Sequence, residues 1–448
     1  MKNEFKGGRR IDDWRPEDEQ FWENGGKQVA SRNLWISIPA LLLAFSVWVI
    51  WSVIVVRMPE VGFQFDKAQL SWLVALPALS GATMRIFYSF MVPIFGGRRW
   101  TAISTASLLI PTIWLGFAIQ NPDTTFTTFA IIALLCGLGG ANFSSSMSNI
   151  SFFYPKSKQG TALGLNAGLG NLGVSVSQFV IPAVIGFSLF GALAGEGQMA
   201  ESGKVLYLQN AAFVWVIPIA IMTVLAWFGM NDLSGAKASF KEQSVIFGRQ
   251  HTWIMCILYL ATFGSFIGFS AAFPMVIKQS FPDVDPLKVA FLGPLVGALF
   301  RPVGGWLADK IGGARVTFWV YVVMAISVVA VMFFLKMGNF IGYFVGFMLL
   351  FMTSGIGNAS TFRMIPVIFR TMHERYNSPD LVNQARKESA AVVGFAGGFA
   401  AYGGFFIPKM FGSGLGINGT FIALIVFYVV CIALTWWYYS RKGAEYPC

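Results

Sequence analysis

Twelve apolar runs, each twenty residues or longer, constrain this chain more than any other feature. They fall at 34–56, 69–94, 100–119, 127–153, 160–190, 209–230, 252–278, 287–308, 315–335, 340–369, 389–411 and 418–439. Each is long enough to cross a hydrocarbon core about 30 Å thick. Inside that core every backbone N–H and C=O must find a partner within the protein, which leaves helices as the only way to use such runs. The chain of 448 residues is 55% hydrophobic and 12% charged, about half the charge of an average soluble domain. The expected fold class is an all-α integral membrane protein.

Charge placement orients the spans. With the N-terminus inside, the inner segments carry 22 Lys and Arg and the outer segments carry 6. That bias is the positive-inside pattern. It accounts for most of the net charge of +11 without a nucleic-acid partner. Both termini are then cytoplasmic, in a plasma membrane that for a bacterium is the inner one. Residues 1–33 mix both signs, as in "IDDWRPEDEQFWENGG", and lack the basic-then-apolar order of a cleavable signal. They read as a cytoplasmic tail with a short amphipathic helix. The expected organisation is tail 1–33, a six-helix bundle 34–230, a cytoplasmic linker 231–250, a second bundle 251–440 and a tail 441–448.

The halves are related. "SGATMRIFYSFMVPIFGGRRWT" (80–101) and "VGALFRPVGGWLADKIGGARVT" (296–317) share G-A-x-x-R, ten residues, then G-G-x-R-x-T, at a constant offset of 216. "GLGGANFSS" (137–145) pairs more weakly with "GIGNASTFR" (355–363), and "GLNAGLGNLGV" (164–174) with "GFAGGFAAYGG" (394–404). Twelve transmembrane helices in two parallel six-helix halves are a transporter architecture, with the binding site expected near the midplane where the halves meet.

The repeat places one arginine in each half, Arg85 and Arg301. An arginine at membrane depth costs from about 2.5 to over 10 kcal/mol. It persists only with a counter-ion, water or substrate. No Asp or Glu lies well inside a span; Asp309 and Glu388 sit at span ends. Two symmetry-related cations without a protein anion call for an anionic guest, and the planar guanidinium fork suits an oxyanion or phosphate. A pore with two fixed cations and no titratable partner favours an exchanger over a proton-driven carrier. Arg363 and Lys409, nearer span ends, read as snorkelling or helix-end residues.

Other candidates are softer. Gly164, Gly168, Gly170 and Gly173 share one span, and Gly394, Gly397, Gly398, Gly403 and Gly404 another. Small residues so spaced allow close helix packing or a slim face for gating. Asn171 adds a hydrogen-bonding group. Phe143 and Phe362 lie in matched spans, and Tyr259 and Phe263 are one helical turn apart. The four cysteines have no disulfide or metal spacing, and the two histidines, His251 and His373, lie near loops. No nucleophile triad, metal cluster or cofactor motif is present, so neither an enzyme nor a cofactor is expected.

Taken together, "DWRPED" (13–18), "ASRNLWIS" (30–37), "RIFYSFMVPIFGGRRWTA" (85–102), "GANFSSSMSNISFF" (140–153), "GLNAGLGNLGVS" (164–175), "YLATFGSFIGFS" (259–270) and "GGFFIPKMFG" (403–412) resemble the nitrate/nitrite porter family of the major facilitator superfamily, in particular its NarK-type antiporters. "GGWLADKIGG" (304–313) is similar to the superfamily's loop signature, whereas its counterpart "MVPIFGGRRW" (91–100) lacks the Asp. The resemblance implies a major facilitator fold with rocker-switch alternating access. Nitrate would enter and nitrite leave, in nitrate assimilation. Arg85 and Arg301 would bind the substrate oxygens from opposite sides. Asn171 and Tyr259 would hydrogen-bond it, while Phe143, Phe263 and Phe362 would line it. A monomer in the lipid bilayer is expected. The residues alone reach an anion exchanger; nitrate comes from the resemblance. The alternatives are proton-coupled nitrate symport and a transporter-like nitrate sensor.

Overall fold

The structure is a computed structural model and describes residues 9–191, 195–235, 244–376 and 381–448. The start of the N-terminal tail and residues 236–243 of the linker lie outside the described residues. Among the described residues, twelve helices are long and apolar enough to span a membrane: Glu19–Arg57, Lys67–Phe95, Gly97–Ala118, Phe126–Phe153, Ser157–Val184, Asn210–Gly229, Gln250–Ser280, Pro286–Ile311, Gly313–Lys336, Phe340–Arg375, Lys387–Phe411 and Gly416–Ser440. Each expected run falls on one of them. The chain divides into two compact units, residues 1–65 with 80–238 and residues 66–79 with 239–448. Helix two therefore contributes its first turns to the second unit and the rest to the first.

Burial follows the repeat. Helices one and seven are each 89% buried over their most apolar window, whereas helices six and twelve are 33% and 28% buried. Helix six exposes Ile217, Ile221, Val224 and Phe228, an apolar stripe at helical spacing that suits lipid. Close approach of paired helices also repeats. A Cβ on Gly81 would lie 2.9 Å from the Gly137 carbonyl, and one on Gly355 would overlap the Gly297 carbonyl. Helix two thus packs closely on helix four, and helix eight on helix ten, at glycines the repeat brings into register.

The inner turns share a third repeated device. Gly96 and Gly312 both have positive φ, 87° and 94°, and open the helices that begin at Gly97 and Gly313. In the first half the Asp232 carboxylate accepts from the Arg98 backbone N–H at 2.9 Å and from Arg98 Nε at 3.0 Å. In the second half the backbone oxygen of Cys448 accepts from the Ala314 N–H at 2.9 Å. Donors 98 and 314, and acceptors 232 and 448, differ by the same 216 residues. The acceptors satisfy N–H groups that a helix start otherwise leaves open.

The first helix begins earlier than the apolar run at 34 suggests. A regular helix runs from Lys27 to Trp48, after a π-turn at Trp22–Gly26 in which Gly25 takes φ 145°. Its polar first turns are held by tertiary contacts. Val29, Ala30 and Trp22 pack with Phe153 and Leu233. Asn33 accepts from the Asn231 N–H at 2.9 Å and donates to the Asn231 side chain at 3.1 Å. Residues 10–11 pair in parallel with 232–233, so the tail is stitched to the segment after helix six.

Candidate functional site

Arg85 sits near the middle of helix two and is 1% exposed. Its Nε donates to the Gly140 carbonyl at 2.9 Å. The guanidinium lies 4.8 Å from the ring centre of Phe143 and 5.4 Å from that of Trp48. Helix four reaches the arginine because Gly140 packs directly against the Trp48 indole. Neither helix two nor helix four contains an Asp or Glu. Ring faces and a carbonyl thus supply part of the solvation that a buried cation needs. Trp48 belongs to the cluster around Arg85, and sequence reasoning did not single it out. Its only signal was an indole deep in the first span.

Arg301, in the second unit, is 9% exposed. Its Nη2 faces the Tyr259 hydroxyl at 3.4 Å and its guanidinium lies 5.8 Å from the Phe362 ring. Tyr259 stacks on Phe362 with centroids 4.0 Å apart and on Phe263 at 5.3 Å with planes 3° apart. Arg301, Tyr259, Phe263 and Phe362 therefore form one cluster. Helix seven turns π-helical at Leu260–Gly264, directly after Tyr259. Among the described residues, Arg301 Nη1 is buried with no hydrogen-bond acceptor and no carboxylate reaches the side chain within ion-pair distance. A buried charged donor left open in this way costs free energy unless a ligand or water completes it.

Asn171 is 2% exposed and its Oδ1 has no hydrogen-bond partner among the described residues. The glycines divide. A Cβ on Gly170 would press on Leu41, and on Gly173 it would overlap the Leu42 carbonyl, so these two seat helix five on helix one. Gly403 similarly meets Gly264, and Gly404 meets Ile267 and Ala78. A Cβ on Gly164, Gly168 or Gly394 would meet no described atom within 4 Å, so packing does not explain them. Gly397 and Gly398 share helix eleven with Gly394.

Of the remaining cations, Arg363 pairs with Asp309 at 2.5 Å, both side chains exposed, and Lys409 lies 3.9 Å over the Trp72 ring in the last turn of its helix. The first unit also holds a buried polar chain that sequence reasoning did not single out. Ser37 bonds Ser146 at 2.8 Å, and Asn166 donates to Ser146 at 2.8 Å. The signal was the run "SSSMSN" at 144–149.

Comparison with known proteins identifies the class of molecule. Residues 36–408 match the Major Facilitator Superfamily. The chain is 50% identical to the nitrate/nitrite transporter NarU of Escherichia coli K12, covering 99% of this chain and 98% of that protein. It is 41% identical to the probable nitrate/nitrite antiporter NarK2 of Thermus thermophilus over 98% of this chain and 99% of that one. Among solved structures, a D-xylose–proton symporter superposes with TM-score 0.68 at 15% identity, covering 90% of this chain and 96% of the other, which bears on fold alone. The chain is therefore a twelve-helix transporter of the major facilitator superfamily, in the same family as NarU and NarK2, and not an enzyme.

Proposed function

We propose that this transporter exchanges nitrate for nitrite by alternating access, with the anion bound by Arg85 from one half and Arg301 from the other. The observation that carries the reading is the open Nη1 of Arg301, a buried charged donor without an acceptor. Arg85 stands at the equivalent repeat position, also buried and also over an aromatic ring. The names of NarU and NarK2 support nitrate and nitrite as the substrates.

The chemistry follows from the side chains. A guanidinium fork offers two parallel N–H donors, matching two oxygens of a small planar anion. Arg301 would offer Nη1 while Nη2 stays near Tyr259, whose hydroxyl can donate to a further oxygen. Rings of Phe143, Phe263 and Phe362 keep the cations dry, which strengthens each charge–charge contact. Asn171 would add a polar contact through its amide. Gly164, Gly168 and Gly394 leave room where side chains would otherwise stand. Binding an anion offsets the repulsion between two buried cations, so the loaded carrier reorients more readily than the empty one. That difference is what makes a carrier an obligate exchanger. The charge bias of 22 against 6 Lys and Arg supports cytoplasmic termini.

Counterflow tests the proposal. Proteoliposomes loaded with nitrite should take up labelled nitrate with no proton gradient, and empty vesicles should not. Uptake into empty vesicles driven by an imposed proton gradient would establish symport and sink the exchange reading.

A further inference from the structure

Residues 27–57, 67–95 and 126–153, the stretches of helices one, two and four around Arg85, contain no Asp or Glu. Rings meet the charge there instead. The Arg85 guanidinium lies over Trp48 of helix one at 5.4 Å and over Phe143 of helix four at 4.8 Å, and its Nε donates to the Gly140 carbonyl at 2.9 Å. Trp48 is 2% exposed.

The seat of this indole is cut from glycine. A Cβ on Gly140 would overlap the ring, and one on Gly81 would lie 3.0 Å from its Nε1. A Cβ on Gly139 would overlap the Ala44 carbonyl, one turn before Trp48. Three glycines thus set where the ring can stand. Phe45 braces both rings edge-on, 5.3 Å from Trp48 and 6.1 Å from Phe143. The backbone is shaped here as well. The regular helix ends at Trp48, Val49 takes φ −104° and ψ 7°, and helix resumes at Trp51. The second half repeats the device: Tyr259 of helix seven stands beside Arg301, and the π-turn begins at Leu260. In each half the first helix lends an aromatic side chain to the arginine of the second helix, and loses its regularity directly afterwards. Tyr259 meets its arginine with a hydroxyl, Trp48 with a ring face.

We infer that Trp48 is a positioning residue for the anion site: with Phe143 it clamps the Arg85 guanidinium, fixing the direction of the fork without neutralising its charge. A carboxylate in the same place would hold the arginine firmly, but it would cancel the charge and compete with the guest for the N–H donors. A ring face attracts the cation through its quadrupole and carries no net charge, so the full positive charge stays available to the anion. The attraction itself is present with or without the guest. Its contribution to binding is preorganisation. Arginine has large rotamer freedom, and a fork fixed in advance spares the anion the cost of ordering it.

Trp48 acts through Arg85, so this assignment rests on Arg85 binding the anion, and the test separates the two. Labelled-nitrate counterflow into nitrite-loaded proteoliposomes gives the half-saturation and maximal rate of wild type, Trp48→Phe, Trp48→Leu, Arg85→Lys and the double variant Trp48→Leu/Arg85→Lys. Trp48→Leu should raise half-saturation about fivefold, the effect of having to immobilise one rotamer-rich side chain, with the maximal rate within about twofold of wild type. Trp48→Phe keeps a ring face and should stay within about twofold in both. In the Arg85→Lys background, Trp48→Leu should change half-saturation by less than about twofold, because no fork is left to fix. A Trp48→Leu variant that saturates like wild type overturns the clamp. So does a Trp48→Phe variant as impaired as Trp48→Leu, or a fivefold loss that persists undiminished in the Arg85→Lys background. Arg85→Lys saturating like wild type refutes Arg85 as the anion ligand instead. Should Trp48→Leu fail to fold, fluorinated tryptophans placed at position 48 alone keep the shape of the indole and weaken its quadrupole. Half-saturation should then rise with each added fluorine, and a flat series overturns the clamp.

Discussion

Replacing Arg85 by lysine keeps the charge and removes the fork, so it separates charge from geometry at the proposed anion site. Arg85 Nε donates to the Gly140 carbonyl at 2.9 Å. A hydrogen bond from a charged donor contributes about 1.5–3 kcal/mol. The planar guanidinium lies over Phe143 and Trp48 at 4.8 and 5.4 Å; an ammonium on a flexible stem loses about 0.5–1 kcal/mol of that contact. At 1% exposure there is little solvent to screen or replace either term. Both contacts are made with or without the anion and seat the fork; what the lysine loses toward the anion is one of two parallel charge-assisted bonds, about 1.5–3 kcal/mol. At about 1.4 kcal/mol per decade, Arg85→Lys should lower the specificity of exchange, rate over half-saturation, about 10- to 140-fold. The assay is initial labelled-nitrate counterflow across a range of nitrate concentrations. Thermal melting of the purified variant checks that the fold survives. A correctly folded Arg85→Lys within threefold of wild type would show that charge alone suffices, refuting the argument from fork geometry.

Three further outcomes are expected. Gly403→Ala, whose Cβ would overlap the Gly264 backbone, should destabilise by about 1–3 kcal/mol, whereas Gly164→Ala, with open space around it, should melt at or above the wild-type temperature; equal melting points would contradict the packing assigned here. Asp232→Asn removes the charge that holds Arg98, both side chains largely buried, and should cost about 3 kcal/mol, read as a lower melting temperature for the first half. Burial pushes the Cys448 thiol up to about 12 and raises Tyr446. A folded-state value above the unfolded one gives stability that is complete below the unfolded value and lost as pH rises through the folded one. The melting temperature should therefore decline from about pH 9 upward, more gently in Cys448→Ala, and an identical decline in that variant would argue against the thiol.

Much of the fold was legible because membrane helices announce themselves locally: twelve apolar runs and a repeated G-A-x-x-R need no tertiary information. Arg85 and Arg301 were legible for a related reason, since charge at membrane depth stands out against its surroundings. What escaped was set by contacts distant in sequence. Lys27 starts the first regular helix because Asn33 meets Asn231, 198 residues away, and no property of "KQVASRN" foretells that. Trp48 is one tryptophan among 15; only its place beside Arg85 distinguishes it. The tail after residue 440 looked like a loose end, yet it returns to seat Tyr446 against His251 and to cap the helix at Gly313.

That last contact bears on how the two halves became different. If they descend from one duplicated ancestor, the start of the third helix in each copy kept its hydrogen-bond acceptor while the atom supplying it changed, from an aspartate side chain at 232 to a main-chain oxygen at 448. What endured was an oxygen in the right place, indifferent to the residue carrying it. Letter-by-letter comparison of the copies would score Asp against Cys as a mismatch, and so understate how alike the halves remain.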